Sequence, residues 1–223
     1  MQCWIIACIA LSQIIPIIGT CQSKPIDKPV VVNITWVDKV GGDFSFTNDW
    51  SYPMGVYKNE YGQVSCDGLC PPEIDKMKDS TGRIYDKYLK KFYKIIDTTH
   101  YYHSIKCEAH TYEFAGTDFI TVWRAKGDTV KASTSCHVST HASLDLAITG
   151  SACIAVIDLN SIVMGGSAVF PCLGGYFKIE RKSWENGILK AEFDLRFKDD
   201  DAGHFKDEPM YWKGIIFARV GKK

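Results

Sequence analysis

Charged residues are missing from the start of this chain. No Lys, Arg, Asp or Glu precedes Lys24, and the residues from Trp4 to Gly19 are apolar with few interruptions. The run is shorter than the ~20 residues of a membrane-spanning helix, but it has the length of a secretory signal's apolar region. We therefore predict that residues 1–20 are a signal removed on export, and that the mature protein is extracytoplasmic.

A surplus of charge of either sign is also missing. The chain has 26 Lys and Arg against 26 Asp and Glu, for a formal net charge of zero. Proteins whose main partner is nucleic acid need a basic face, so we predict no nucleic-acid partner. The sequence contains neither an HExxH zinc motif nor a GxSxG nucleophile elbow, so no specific enzyme signature is present.

The end of the leader, Ile18-Gly19-Thr20-Cys21, resembles the cleavage site of bacterial lipoprotein signals. The resemblance implies that Cys21 is acylated, becomes the new N-terminus and anchors the protein to a membrane. Ordinary cleavage near Ser23, which would release a secreted protein, is the alternative. In either case we predict that residues 21–29 form a short tether and that residues 30–223 form a single β-rich globular domain.

Cysteine is plentiful, with nine residues in the chain, and Cys3 and Cys8 belong to the leader. With Cys21 assigned to the lipid, six remain, and an even number in an exported chain favours disulfide bonds. The spacing leaves the connectivity open, although two of the six are close enough in sequence to close a small loop directly. The disulfide candidates are Cys66, Cys70, Cys107, Cys136, Cys153 and Cys172.

Short apolar runs with turn residues between them dominate the chain after residue 100, which is typical of antiparallel strands. The clearest run, Leu189 to Phe197, alternates strictly, and an acidic loop separates it from a second strand, Met210 to Val220. One amphipathic helix is predicted near residues 82–96, where apolar residues recur at helical spacing. We therefore expect an α+β fold, mostly antiparallel sheet; sandwich, barrel and single curved layer remain open.

The chain as a whole is similar to the β-rich lipoproteins of bacterial envelopes, of the Bacteroidetes type. The features that carry this resemblance are the apolar leader ending at Cys21, the short tether and the strand pair from Leu189 to Val220. No particular activity follows from it, since functions belong to sites and not to folds.

Two groups of residues are candidates for a site. Three histidines, which strands would bring to one sheet face, are potential zinc ligands together with nearby carboxylates; the alternative is that they are hydrogen-bonded polar residues. Four aromatic residues beside amides and carboxylates would suit a sugar ring or a peptide, or would pack beneath a long loop. The histidines are His103, His137 and His141, and the aromatic residues are Trp50, Tyr52, Tyr57 and Tyr61.

Two functions follow from these candidates. The first is an exported, lipid-anchored surface protein that acts as a binding or structural module for a glycan, a peptide or another protein, without a cofactor. The second is an extracytoplasmic metal-dependent hydrolase with a histidine/carboxylate site, in which zinc would be the cofactor. The oligomeric state and the identity of the ligand do not follow from the sequence.

Overall fold

The computed structural model describes residues 29–68, 70–163, 165–199 and 209–222. The predicted signal, Cys21 and nearly all of the tether lie outside the described residues, as does most of the acidic loop. None of the helices in the described part of the chain is long and apolar enough to cross a membrane.

The described elements are mostly strands. Two α-helices, α1 (Leu89–Ile95) and α2 (Arg181–Glu185), and three short 3-10 turns, Ser45–Asn48, Asp75–Met77 and Asp86–Tyr88, accompany them. The strands are β1 (Val31–Val37), β2 (Trp50–Ser51), β3 (Val56–Lys58), β4 (Val64–Cys66), β5 (Tyr101–Tyr102), β6 (Ile105–His110), β7 (Phe119–Arg124), β8 (Thr129–Ser135), β9 (Ala142–Thr149), β10 (Ala152–Ser161), β11 (Gly166–Glu180), β12 (Ile188–Phe197) and β13 (Tyr211–Gly221).

The large sheet closes on itself. Strands β7 to β12 follow one another as antiparallel neighbours, and β1 is inserted between β10 and β11, antiparallel to the first and parallel to the second. Strand β13 pairs with β12 along most of its length. It also pairs with β6, and at Val220 and Gly221 with the end of β7. This pairing makes a closed eight-stranded barrel, which removes free sheet edges.

The prediction of an α+β fold, mostly antiparallel sheet with one main helix, is therefore wrong. Half of the described residues are in strands and 12% are helical, and the sheet forms a barrel. The helix predicted over residues 82–96 is reduced to α1 and the 3-10 turn before it. The carboxylate of Asp79 accepts the backbone N–H groups of Thr81 and Arg83 and makes a turn there, so Ile84 is not helical.

Along each strand, inward-pointing side chains alternate with outward-pointing ones, and the inward-pointing ones fill the barrel. The inward side chains of the pair β12–β13 are buried as the sequence pattern predicts, with Trp212 and Phe193 almost wholly inaccessible. Eight strands enclose a space that side chains can fill, and here large aromatic and aliphatic residues occupy it. At Gly175, where β11 bulges, a Cβ atom would lie 2.0 Å from the carbonyl oxygen of Asp194, so this close approach requires glycine.

A second apolar group lies between β2 and β5 in sequence, outside the barrel. We call it the satellite cluster; it combines the hairpin β3–β4, the turn Asp75–Met77 and helix α1. Strands β3 and β4 form a short antiparallel hairpin in this region. The buried members of the satellite cluster are Val56, Cys66, Ile74, Met77, Ile84, Phe92 and Ile96.

Candidate functional site

The four aromatic candidates separate into two groups. The ring of Trp50 stacks on that of His100 with centroids 3.5 Å apart, and the ring of Tyr52 meets both edge-on. Tyr57 and Tyr61 belong to the satellite cluster's hairpin and are held locally. The hydroxyl of Tyr57 donates to Asp67 and that of Tyr61 donates to Thr81. The four residues therefore do not form one binding surface.

The first group lies next to a groove on the barrel, but neither Trp50 nor Tyr52 is among the residues that line it. Strands β2 and β5 pair through Trp50 with Tyr102 and through Ser51 with Tyr101. Beneath this two-stranded ribbon lies a groove of about 400 Å³, a volume that suits a small ligand or part of a larger one. Its walls are Pro53, Met54, Tyr101, Tyr102, Ser104, Phe119, Ile120, Thr121, Ser135 and Cys136. We call it the aromatic groove.

Aromatic side chains dominate the accessible surface of the aromatic groove. Tyr101 is 46% exposed and Tyr102 is 62% exposed, although large aromatic rings are usually more buried. The ring of Phe119 meets Tyr101 edge-on at a centroid distance of 6.3 Å. Neither tyrosine is among the site residues that the sequence predicts. Two consecutive tyrosines beside a histidine were the only local signal.

His103 fixes the position of the ribbon. Its Nε2 atom lies 2.8 Å from the hydroxyl oxygen of Ser51, and its backbone N–H donates to the carbonyl of Asp49 at 2.9 Å. Its ring also meets Phe119 edge-on at 5.6 Å. These contacts connect β2 to β5 and to the barrel, so His103 positions one wall of the aromatic groove.

The other two histidines have different partners. His137 and His141 lie in the loop between β8 and β9 and not on a strand, so the prediction that they share a sheet face is wrong. Nδ1 of His137 pairs with the carboxylate of Asp118, and Nε2 of His141 lies 2.6 Å from the hydroxyl of Ser139. In the part of the chain that the structure describes, no three His, Cys, Asp or Glu residues form a group suited to a metal ion.

The cysteines divide into one disulfide and four thiols. Cys66 and Cys70 are bonded within the satellite cluster, which confirms part of the disulfide prediction. Burial raises the pKa of Cys107 to about 11 and that of Cys153 to about 12, so these thiols stay protonated and unreactive at neutral pH. The four free cysteines among the described residues are Cys107, Cys136, Cys153 and Cys172.

Cys136 is the free thiol that borders the aromatic groove. Its sulfur donates to the carbonyl of Ser139 at 2.8 Å and accepts the N–H of the same residue. The neighbouring imidazole of His137 is engaged with Asp118. The arrangement therefore holds the loop after β8 in place, and it does not form a thiolate–imidazole pair.

The aromatic groove thus combines ring faces with hydroxyl groups. The hydroxyl of Ser104 is used internally, because it accepts from the N–H of Ile120 and donates to its carbonyl. Thr121 and Ser135 contribute further hydroxyls to the lining. Such a surface offers apolar contact area with directional hydrogen bonds, which is the chemistry of non-covalent recognition.

Comparison of the chain with protein-family models, with curated proteins and with solved structures gives no match.

Proposed function

We propose that this protein is an exported binding module, and that its ligand lies in the aromatic groove between the β2–β5 ribbon and the barrel. The observation that carries the proposal is the exposure of Tyr101 and Tyr102 above a groove of about 400 Å³. Exposed aromatic surface next to a concave, mostly apolar wall is typical of a binding site.

The chemistry of the groove favours a ligand with a flat apolar face. Tyrosine rings stack on such faces with little loss of side-chain freedom, and the hydroxyls beside them supply direction. A sugar ring of a glycan and an aromatic side chain of a peptide both have this form. The barrel interior is a less suitable place, because Trp212, Phe177 and Phe193 already occupy it.

Export and anchoring are part of the same proposal, and their support comes from the sequence of the leader alone. Removal of residues 1–20 and acylation of Cys21 would hold the module at the envelope, with the membrane as a partner through the lipid. The intact mass of the mature protein tests this directly. We expect a product that begins at Cys21 and carries a diacylglyceryl group. A product that begins near Ser23 would indicate a secreted module without a lipid. A product that retains residues 1–20 would contradict export by cleavage.

Binding is tested by removing one ring of the groove. The wild-type protein is presented to a glycan array and to a peptide library, and the compounds retained are titrated against Tyr102→Ala. We expect a loss of affinity of about tenfold or more, since an aromatic residue at the centre of a binding site contributes most of its energy. The matched control is Tyr61→Ala, which removes an exposed tyrosine of the satellite cluster and leaves the groove intact. Equal loss in both variants, or none in Tyr102→Ala, would refute the site.

The hydrolase alternative is not carried forward as a proposal. His103, His137 and His141 have separate hydroxyl or carboxylate partners, so no described observation favours it over binding.

A further inference from the structure

A second concavity continues the aromatic groove on the other side of Tyr102. It has a volume of about 460 Å³ and is bordered by Thr47, Tyr102, His103, Ser104, Phe217, Ala218 and Arg219. Tyr102 and Ser104 also border the aromatic groove, so the two concavities share a wall. We call the second one the arginine lobe. A ligand that lies across Tyr102 therefore reaches both.

Charge distinguishes the arginine lobe from the aromatic groove. The aromatic groove has no Asp, Glu, Lys or Arg among its lining residues, whereas the arginine lobe has Arg219. Residue 219 faces outward on β13, on the same side of the strand as Phe217, which is itself exposed. Arg219 thus shares the outer face of β13 with Phe217, and both residues border the arginine lobe.

Three lysines on β6, β12 and β13 are paired with carboxylates. Lys190 contacts Glu180 at 2.7 Å, Lys106 contacts Asp43 at 3.3 Å and Lys213 contacts Glu108 at 3.2 Å. Among the ion pairs and hydrogen bonds of the described residues, none involves the side chain of Arg219. Its five N–H donors therefore face solvent, in the fork geometry that binds a carboxylate through two parallel hydrogen bonds.

We infer that the ligand is an anion: its flat ring lies in the aromatic groove, and its carboxylate is bound by Arg219 in the arginine lobe. This inference rests on the proposed function, and it adds the charge and orientation of the ligand. A uronic acid at the end of a glycan has both features, since its ring offers an apolar face and its C6 carboxylate extends from it. Arginine and not lysine suits this role, because its planar guanidinium group can form two parallel hydrogen bonds with a carboxylate.

The test uses two probes that differ in the carboxylate alone, phenyl β-glucuronide and phenyl β-glucoside. Their affinities for the wild-type protein are measured by isothermal titration calorimetry at low salt. We expect the glucuronide to bind about three- to tenfold more tightly, since a charged hydrogen-bonded pair in an open site is only partly desolvated. Added salt should reduce the difference, because ions screen the pair.

Two variants test whether Arg219 binds the carboxylate. In Arg219→Gln the affinity for the glucuronide should fall to that for the glucoside, while the affinity for the glucoside stays the same. Arg124→Gln, which alters an exposed arginine of β7 that borders neither concavity, should keep the wild-type preference. Equal affinities in the wild type, a preference that survives in Arg219→Gln, or failure of both probes to bind would overturn the inference. The proposed function is judged separately, by the loss of array ligands in Tyr102→Ala.

Discussion

The barrel and the satellite cluster are stabilised in different ways. The barrel buries a continuous set of aliphatic and aromatic side chains, and its strands pair with partners far away in the chain. The satellite cluster buries few residues and depends on local bonds: the disulfide Cys66–Cys70, and Gln63, whose amide oxygen accepts the N–H of Ile84. A small core needs such additions. Because Pro53 and Met54, which precede β3, line the aromatic groove together with residues of the barrel, the groove lies next to the weaker region.

The largest effect is expected inside the barrel. Phe177 is inaccessible to solvent, and its ring stacks on that of Phe193 at 5.9 Å. Phe177→Ala should lower the free energy of unfolding by about 4 kcal/mol, because it removes buried area and leaves a cavity. Urea denaturation measures the change. Val31→Ala, on an exposed position of β1, should change the free energy by less than about 0.5 kcal/mol; similar effects in both would contradict a packed interior.

A smaller and more local effect is expected in the satellite cluster. Replacing Cys66 and Cys70 by serine removes a constraint on a short loop, which costs roughly 2 kcal/mol in the chain-entropy treatment. We expect faster proteolysis of the region around β3 and β4, while the urea midpoint of the barrel stays unchanged.

The control for this experiment is a buried thiol of the barrel. Cys153→Ala leaves the disulfide intact, so the satellite region should be cleaved at the wild-type rate even if the barrel becomes less stable. Simultaneous loss of both regions in the double serine variant would show that they unfold as one unit.

The smallest effect on stability is expected at Glu180, a carboxylate at the end of β11 in the barrel. Burial would raise the pKa of Glu180, but hydrogen bonds from Lys190, Ser183 and the backbone N–H of Val40 outweigh it and lower the pKa from 4.5 to about 2. A depressed pKa in the folded state stabilises the protein above the unfolded value, and this contribution is lost as the pH falls from about 4.5 towards 2. Glu180→Gln should therefore cost about 1 kcal/mol at neutral pH and weaken the acid dependence.

Unfolding measured between neutral pH and pH 3 tests this expectation. Glu73→Gln, an exposed change in the satellite region, should leave both the stability and its pH dependence unaltered. A wild-type stability that is constant down to pH 3 would contradict the role given to Glu180.

The sequence predicted the parts of the fold that depend on local alternation. The strand pair β12–β13 was visible because Leu189 to Phe197 alternates strictly, and its inner face is buried as expected. Closure of the barrel was not visible, because it depends on Val220 pairing with Val122, a contact between distant residues that no local pattern encodes. The helix was predicted too long because Ile84 and Phe92, which fit a helical face, are instead brought together in the satellite cluster by a turn and a short helix.

None of the four aromatic residues that the sequence predicts as a site lines the groove. Trp50 pairs with Tyr102, which does line it, whereas Tyr57 and Tyr61 are bonded elsewhere. Tyr102 and Arg219 were missed because their roles depend on strand register. The histidines were grouped by their spacing, and the loop after β8 breaks the alternation on which that grouping depended.

Native-state hydrogen exchange, with and without reduction of the disulfide, tests most directly the claim that two separately stabilised regions meet at the binding groove. On reduction we predict faster exchange at the amides of β3 and β4 and unchanged protection at those of β9 and β10. Equal loss of protection in both regions, or no change in either, would contradict the account.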